Sequence, residues 1–535
     1  MIIKNGIVYD PANKIDGEKM DLFIRNGKIV EKTDGEVIDA SGSVVLPGGV
    51  DIHSHIAGSK VNLGRLLRPE DHRKDVVART SVTRSGVGYT VPSTFVTGYR
   101  YAELGYTTVM EAAVPPLSAR HTHEELNDTP IIDNGAFILM GNNYFVLKHL
   151  ERKDFDGLKN FVAWLLKATK GYAVKLVNPG GVECWKWGKN VESLDDRVEG
   201  YNVSSREIIN GLAKVNEELR LPHSIHVHCN NLGSPGNIKT TLETMEAVSK
   251  RIHITHVQFN AYAGADWANL ASGAPEIADY INHHEHVTCD LGQVIFGDAT
   301  TMTADGPWQY KLSKLTGYKW YNSDVELEAG AGVVPYVFRK KSLANSIQWA
   351  IGLETALLVK DPWKVFLTTD HPNAGPFYFY PRVISWLMSK KQREATLNEI
   401  HKRTPQRTSI ASIDREYSLY EIAIITRAAT AKSLGLRNKG HLGVGADADI
   451  AIYEFKEDDI EGSFSRAKYV LKDGEIVVKD GKVVKAPQGR KFWVNAGGEL
   501  TDEIKEVFAK YYTVGLENYP VQDDYLPKQE MISCK

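Results

Sequence analysis

Pro47-Gly48-Gly49-Val50-Asp51-Ile52-His53-Ser54-His55 is the stretch that decides the fold. A β-rich run, Val44-Val45-Leu46, passes through proline and two glycines into an alternating segment. Successive side chains of a strand face opposite sides, so His53 and His55 point the same way while Ser54 points away. Two imidazoles placed like this at the carboxyl end of a strand can chelate one metal ion. Taken alone, such a pair is more often solvated or part of a core. The rest of the chain gives it meaning.

A chain of 535 residues exceeds what one core usually holds, so more than one structural unit is expected. Hydrophobic content of 42% and charged content of 24% are those of an ordinary globular protein, and a net charge of −3 argues against a dedicated nucleic-acid binder. The four cysteines, Cys184, Cys229, Cys289 and Cys534, show no C-x-x-C spacing. They offer neither a disulfide framework nor an iron–sulfur site and fit a reducing compartment. The start of the chain lacks the cationic-then-apolar order of a signal peptide, and no run approaches the ~20 apolar residues of a membrane span. A cytoplasmic protein without membrane contact is expected.

Residues 1–46 read as short strands with hairpin signals at Lys4-Asn5-Gly6 and Arg25-Asn26-Gly27. Asn-Gly suits a tight turn that needs positive φ. The same form returns at Leu471-Lys472-Asp473-Gly474 and Val478-Lys479-Asp480-Gly481. A small β-sandwich built from both chain ends is expected, as residues 1–49 and 416–496. Between them, at 50–415, apolar strand-like runs alternate with helical stretches, the pattern of βα units and a parallel sheet. The strands are read as Val50–His55, Gly105–Ala113, Ala136–Met140, Ala173–Val177, Ser224–His228, Ile252–His256, Val287–Asp290 and Lys364–Thr369. That count closes an α/β fold of the (β/α)8 barrel type. Residues 497–535, with Tyr511, Tyr512, Tyr519 and Tyr525, read as an arm over the barrel or a partner contact.

The long connection 56–104 carries Lys60, Arg65, Arg68, Arg73, Lys74, Arg79, Arg84 and Arg100 against few acids. It is either a solvated face or a lid that attracts an anionic substrate. Metal-type residues fall at carboxyl ends of the strands, where barrel enzymes keep their sites. Lys175 lies inside the apolar strand Ala173-Val174-Lys175-Leu176-Val177. Burial there drives an ammonium toward the neutral amine. A neutral amine can add CO2 to become a carbamate, an oxygen ligand able to bridge two metals. In His226-Val227-His228 the terminal His228 is taken as the ligand, with His226 and His223 in supporting roles. His256 is favoured over His253, and Asp370 over the weaker His371. The cluster His283-His284-Glu285-His286 has no strand-end logic and reads as a solvated helix end. Four imidazoles, a carbamate and a carboxylate are what two divalent cations need, about 3.5–4 Å apart, to share a hydroxide. Imidazole with oxygen donors favours Zn2+ over Mn2+ or Fe2+.

This order, together with Ala431-Lys432-Ser433-Leu434-Gly435-Leu436 and Lys439-Gly440-His441-Leu442-Gly443-Val444-Gly445-Ala446-Asp447-Ala448-Asp449-Ile450, resembles the amidohydrolase superfamily over nearly the whole chain. Within it, residues 51–72 (DIHSHIAGSKVNLGRLLRPEDH) and 225–233 (IHVHCNNLG) resemble the A-subunit family of formylmethanofuran dehydrogenase. The resemblance implies a division of labour. A molybdenum- or tungsten-pterin and iron–sulfur partner subunit reduces CO2 to formate. The A-subunit condenses formate with the primary amine of methanofuran, the C1 carrier, on a binuclear zinc site, the first step of methanogenesis from CO2. By position the implied ligands are His53, His55, N6-carboxylated Lys175, His228, His256 and Asp370, with Asp370 also handling the proton. Arg65 and Arg68 are expected to receive the glutamyl carboxylates of methanofuran.

Three other readings stand beside this one. A dihydroorotase- or hydantoinase-type cyclic-amide hydrolase shares the ring and the carbamate. A formyltransferase/hydrolase complex runs the same chemistry toward formate release. A metal-free scaffold subunit would have no need of all six ligands.

Overall fold

A computed structural model describes residues 1–73, 75–323 and 330–534 of the chain; Lys74 of the basic connection lies outside them. Eight parallel strands form the barrel in chain order: Gly49–Ser54, Tyr106–Val114, Asp133–Leu139, Ala173–Val177, Ile225–His228, Ile252–Ile254, Val287–Asp290 and Val365–Phe366. Each pairs with its predecessor. The ring closes through one bridge, Ser54 to His371, where the His55 N–H donates to the His371 carbonyl at 2.7 Å. Every strand read from the sequence is present. They were legible because parallel strands are covered on both faces and so appear as nearly unbroken apolar runs.

The glycines before His53 serve close approach. A Cβ on Gly49 would lie 2.6 Å from the Tyr106 ring, which packs directly beneath the first strand. Behind that strand, Asp51 accepts from the His53 N–H at 3.0 Å and from the Tyr101 and Tyr380 hydroxyls at 2.8 and 2.5 Å. Alternation alone would put Asp51 on the imidazole face; the register shift between Asp51 and Ser54 breaks it, and the Tyr101 hydroxyl meets Asp51 and Ser54 together.

Both chain ends contribute to a separate nine-stranded mixed sheet. Its centre pairs Val44–Pro47 antiparallel with Ile450–Tyr453. Strand Lys28–Val30 at one edge is bonded back to residues 445–446, so the sheet curls over its own core of Ile3, Val8, Ile24, Val45, Ile450 and Leu471. Asn26-Gly27, Asp473-Gly474 and Asp480-Gly481 form the tight turns read from the sequence, all with positive φ. Lys4-Asn5-Gly6 does not. Strand Ile2–Asp10 runs straight through it with a register shift, so Asn5 at φ 61° makes a bulge, and the hairpin lies at Pro11–Lys14.

Two further strands leave the expected plan. Lys491–Val494, read as part of the sandwich, pairs parallel with the third barrel strand at Asn134 and Gly135, and Gln529–Ile532 pairs parallel with it in turn. The carboxyl-terminal arm thereby packs on the barrel, with Tyr519 stacked on Trp164 at 6.2 Å. Between the seventh and eighth barrel strands, Gly297–Thr303, Tyr321–Ser323 and Ala331–Phe338 form an antiparallel sheet over the barrel mouth. Helix Ser59–Leu67 of the basic connection packs against it through Val61, Val91, Met302 and Val333. Among the described residues no helix is long and apolar enough to cross a membrane.

Barrel and curled sheet are joined by buried charge. Asp133, at the start of the third barrel strand, receives Lys439, Lys472 and Arg490 at 2.6, 2.9 and 3.0 Å. Burial alone would raise the Asp133 carboxyl, but these three cations hold it well below the usual carboxylate range. Asp133→Asn leaves Lys439, Lys472 and Arg490 with their other carboxylates, Asp447, Asp449 and Asp473, and should cost about 1–3 kcal/mol, read as a lower denaturant midpoint. Because the folded-state pKa is depressed, the difference from the parent is complete above the unfolded carboxylate value of about 3.9 and shrinks as pH falls through the folded value. A difference that stays constant down to pH 2 would show that Asp133 is not the charged member of the cluster.

Candidate metal centre

The first strand delivers His53 and His55 side by side, with ring centroids 5.1 Å apart and edge to face. Asp370 meets both from the last strand. Its Oδ1 lies 2.8 Å from Nε2 of His53 and 3.2 Å from Nε2 of His55. From the fifth and sixth strands, His228 and His256 stand 4.8 Å apart by ring centroid, and His256 is 5.3 Å from His53. Lys175 on the fourth strand lies in register with His226 and is buried among these groups. All six residues named as ligands are buried and converge at the carboxyl end of the barrel.

The backbone is bent to bring them there. His256 and Asp370 leave their strands at φ 36° and 47°, a left-handed conformation unusual for residues with a side chain. Strain of this kind costs about 1–3 kcal/mol and persists where the surroundings enforce it. Gly292 allows the fit, since a Cβ there would sit 2.4 Å from the His256 Cβ.

Four polar atoms in this space are buried without a hydrogen-bond partner: Nε2 of His53, Nζ of Lys175, Nδ1 of His256 and Oδ1 of Asp370. A buried polar atom left unpaired costs free energy, and four in one place is a pattern that cations relieve. His53 Nε2 and Asp370 Oδ1 are 2.8 Å apart yet not in hydrogen-bond geometry. Two lone pairs held that close fit a shared cation. His53, His256 and Asp370 each place a ligand atom within 4.8 Å of the others, the clearance one ion requires. Burial, then the neighbouring Lys175 charge, pushes the His53 imidazole well below its ordinary value, so it is a neutral donor. Burial also lowers the Lys175 ammonium to about 7 and raises the Asp370 carboxyl.

Partners unforeseen in the sequence orient these ligands. Glu111 faces His55 Nδ1 at 3.2 Å, pairs with Lys60 at 3.1 Å and accepts from the Ile56 and Ala57 N–H groups. Burial works against the Glu111 carboxylate, yet Lys60 and His55 hold it at about 2. Asp305 takes His228 Nε2 at 3.0 Å while capping helix Gly306–Thr316 through the Trp308 N–H. Asp290 accepts from the His256 N–H and faces His253 Nε2, both at 3.0 Å. Glu111 and Asp305 can thus fix the tautomers of His55 and His228 and turn the other nitrogen of each toward a metal. Glu111 carried a signal, an acid inside the apolar run Val109-Met110-Glu111-Ala112-Ala113, the same kind that marked Lys175.

The remaining histidines engage protein groups or lie exposed. His226 has both ring nitrogens engaged by imidazoles, and His253 spends its pair on Asp290 and Thr288. His371 takes the Phe377 N–H, and His283 lies exposed at the end of its helix. Arg65 and Arg68, expected to receive substrate carboxylates, bind protein instead. Arg65 donates to the Pro92 carbonyl and to Asn62 and pairs with Glu125. Arg68, only 5% exposed, pairs with Asp71 and Asp298 and donates to the Ala299 carbonyl. A guanidinium has five N–H donors, and here they clamp the basic connection to the sheet over the mouth. Beside Asp370 opens a pocket with an aromatic wall of Phe259, Trp267, Trp308, Tyr336 and Phe338.

The profile of the Amidohydrolase family matches residues 36–478. The chain is 56% identical to Protein FwdA of Methanocaldococcus jannaschii, covering 98% of this chain and 97% of that protein. It is 38% identical to the A-subunit of the formyltransferase/hydrolase complex Fhc of Methylorubrum extorquens, covering 100% and 99%. A crystal structure of the formyltransferase/hydrolase complex (FhcABCD) from that bacterium, in complex with methylofuran, contains a chain that superposes with a TM-score of 0.92 at 37% identity, over 100% of this chain and 99% of that one. With ring, curled sheet and full-length similarity in agreement, the chain belongs to the amidohydrolase family, in the group that includes FwdA and the Fhc A-subunit.

Proposed function

We propose that this protein interconverts N-formylmethanofuran and water with formate and the free amine of methanofuran. In this reading it is one component of a formylmethanofuran dehydrogenase in the cytoplasm. One observation carries the chemistry: four ligand-type atoms of His53, Lys175, His256 and Asp370 are buried together without partners. The substrate reading draws its support from full-length similarity to FwdA and to the Fhc A-subunit.

His53, His55, His228, His256, Asp370 and a carboxylated Lys175 would hold two divalent cations, with Zn2+ favoured by the imidazole and oxygen donors. When bound, such a pair acidifies water and polarises an amide carbonyl. The remaining tasks fall to side chains. Lys175, held near 7 by burial, has a large neutral fraction at neutral pH. Its Nζ can attack CO2, forming the N–C bond of a carbamate and releasing one proton. Asp370 lines the aromatic pocket and so reaches the substrate. Through Oδ2, the oxygen not aimed at the histidines, it takes a proton from the attacking water. It passes that proton to the amine nitrogen as the C–N bond breaks. Condensation runs the same transfers backwards. The aromatic wall suits the ring-bearing end of the amine.

The four cysteines are free, and their scattered positions provide no cluster ligation, so reduction of CO2 would belong to partner subunits carrying molybdenum or tungsten pterin and iron–sulfur centres. Similarity to the Fhc A-subunit supports a second reading in which the same groups run net hydrolysis. Both readings predict near two zinc per chain and formate release from formylmethanofuran by the isolated chain. Two metals without that activity would point to a cyclic amide, and no bound metal to a scaffold.

Asp370→Asn should lower formate release about 10²–10⁴-fold, measured as kcat; retention of the parent rate would remove Asp370 from proton transfer. Reconstituting metal-free protein with zinc should leave less metal bound in CO2-free buffer than in bicarbonate, and Lys175→Met should abolish that difference. Equal loading in both buffers would exclude the carbamate. Asp305→Ala should weaken zinc binding about 10–100-fold in competition with a chromogenic chelator. Unchanged competition would mean that Asp305 serves only as a helix cap.

A further inference from the structure

Three of the ring ligands have an outer nitrogen that meets a protein partner. For His55 the partner is Glu111 and for His228 it is Asp305. His53 differs. Its Nδ1 faces another imidazole, Nε2 of His226, at 2.8 Å. Nδ1 of His226 faces Nε2 of His223 at 3.0 Å, and Nδ1 of His223 faces the Ser433 carbonyl at 3.0 Å. All three rings are fully or almost fully buried. The chain runs from the ligand cluster down through the barrel interior to helix Ala429–Leu434 beneath it.

The last partner sets the direction of every hydrogen bond above it. Ser433 lies in the final turn of its helix, where carbonyls lack an intrahelical donor. A carbonyl oxygen can only accept, and at 3.0 Å it is nearer to Nδ1 than the Ser433 hydroxyl at 3.5 Å, so His223 carries its proton on Nδ1. A neutral ring holds one such proton, which leaves Nε2 of His223 as an acceptor. His226 must then donate from Nδ1 and accept at Nε2, and His53 must donate from Nδ1. Nε2 of His53 is left bare, and this is the atom 2.8 Å from Asp370 Oδ1. The Thr255 hydroxyl, 2.5 Å from His53 Nδ1, sits where it can accept a share of the same proton. Burial of all three rings disfavours an imidazolium along the chain.

We infer that His226 and His223 are positioning residues for the metal centre: they form a tautomer-setting chain that delivers His53 with its Nε2 lone pair toward the cations. The inference rests on the binuclear reading above but not on the identity of the substrate. It assigns a task to the Ala431–Leu436 stretch, which lies on the far side of the barrel from the chemistry. It also separates His226 from the ligands, although His53, His226 and Asp290 place three ligand-type atoms within 4.8 Å.

The test is zinc affinity of the full chain, by chelator competition, with the thermal midpoint of the metal-free protein as control. His226→Gln keeps an acceptor for His53 and a donor for His223 on one amide, whereas His226→Leu keeps neither. The Leu variant should bind one of two zinc equivalents about 10–100-fold more weakly. The Gln variant should retain most of the parent affinity. His223→Leu, which changes no group in contact with the ligand cluster, should weaken the same equivalent by a smaller factor, and it carries the test if the Leu variant at 226 fails to fold. Equal losses in the Gln and Leu variants would make His226 a ligand or a packing element and overturn the chain. Unchanged affinity in the His223 variant would overturn its anchoring at Ser433. A parent protein that binds no zinc would sink the binuclear reading and this inference together. A parent that binds two zinc but releases no formate would sink only the substrate assignment.

Discussion

The rest of the structure depends on an unfavourable arrangement: Nε2 of His53 and Oδ1 of Asp370 held 2.8 Å apart in the buried barrel mouth, out of hydrogen-bond geometry. Burying an unpaired polar atom is costly, and burying two with like-signed lone pairs face to face is costlier. A fold keeps such a pair only when rigid elements on both sides enforce it. Here one side is a strand braced by the Asp51 hydrogen bonds to Tyr101 and Tyr380, and the other is a strand end in left-handed conformation. The surrounding carboxylates and imidazoles repeat one logic. Glu111, Asp305 and His226 each engage the outer nitrogen of a ring, of His55, His228 and His53, so that the inner one is left as a donor of electrons.

That mouth is covered from above and anchored from below by different physics. Above, Arg68 spends its guanidinium on Asp71, Asp298 and the Ala299 carbonyl, stapling the basic connection to the antiparallel sheet that carries part of the aromatic pocket. A cation used in this way is a structural fastener, and its charge is neutralised before any ligand arrives. Below, Asp133 and its three cations tie the third barrel strand to the curled sheet. Because Lys439, Lys472 and Arg490 come from the late segment of the chain and Asp133 from the barrel, the cluster has its full attraction only when both parts are in register. The desolvation cost of each charge is offset by the others, which makes the junction specific as well as strong.

The sequence showed what periodicity and isolated charge can show. Eight apolar runs became eight strands, and Lys175, a lone ammonium among Val174, Leu176 and Val177, became a buried amine at the centre. The His-x-His pair at 53 and 55 was legible because alternation fixes which side chains share a face. What stayed hidden depends on long-range partners. Nothing local distinguishes Arg68 as a clamp from Arg68 as a ligand for anions, since the difference lies 230 residues away at Asp298. Asp305 looks like an ordinary helix cap beside Gly306 and Pro307, and its second contact, to His228, exists only in the folded chain. Lys491–Val494 has the β-rich look of its sandwich neighbours, and only the open edge beside Asn134 and Gly135 diverts it to the barrel. Asn5-Gly6 provides positive φ equally to a hairpin or a bulge, and the long ladder to Ile15–Arg25 decides for the bulge.

The contrast between His53 and its fellow ligands follows from the strand register. Parallel pairing sets His226 level with Lys175 on one side and with His253 on the other, deeper in the barrel than His228. At that depth a second carboxylate behind His53 would add an anion to a layer where Asp290 already serves His253, His256 and Thr368. An imidazole supplies the same hydrogen-bond acceptor without the charge, and a further imidazole passes the requirement on to a helix carbonyl at the barrel floor. His53 is thereby backed by a neutral group where His55 is backed by a carboxylate, so it is the weaker electron donor of the pair. The two imidazoles of the first strand are therefore electronically unequal. That asymmetry is built from residues two apart in sequence whose partners come from opposite walls of the barrel.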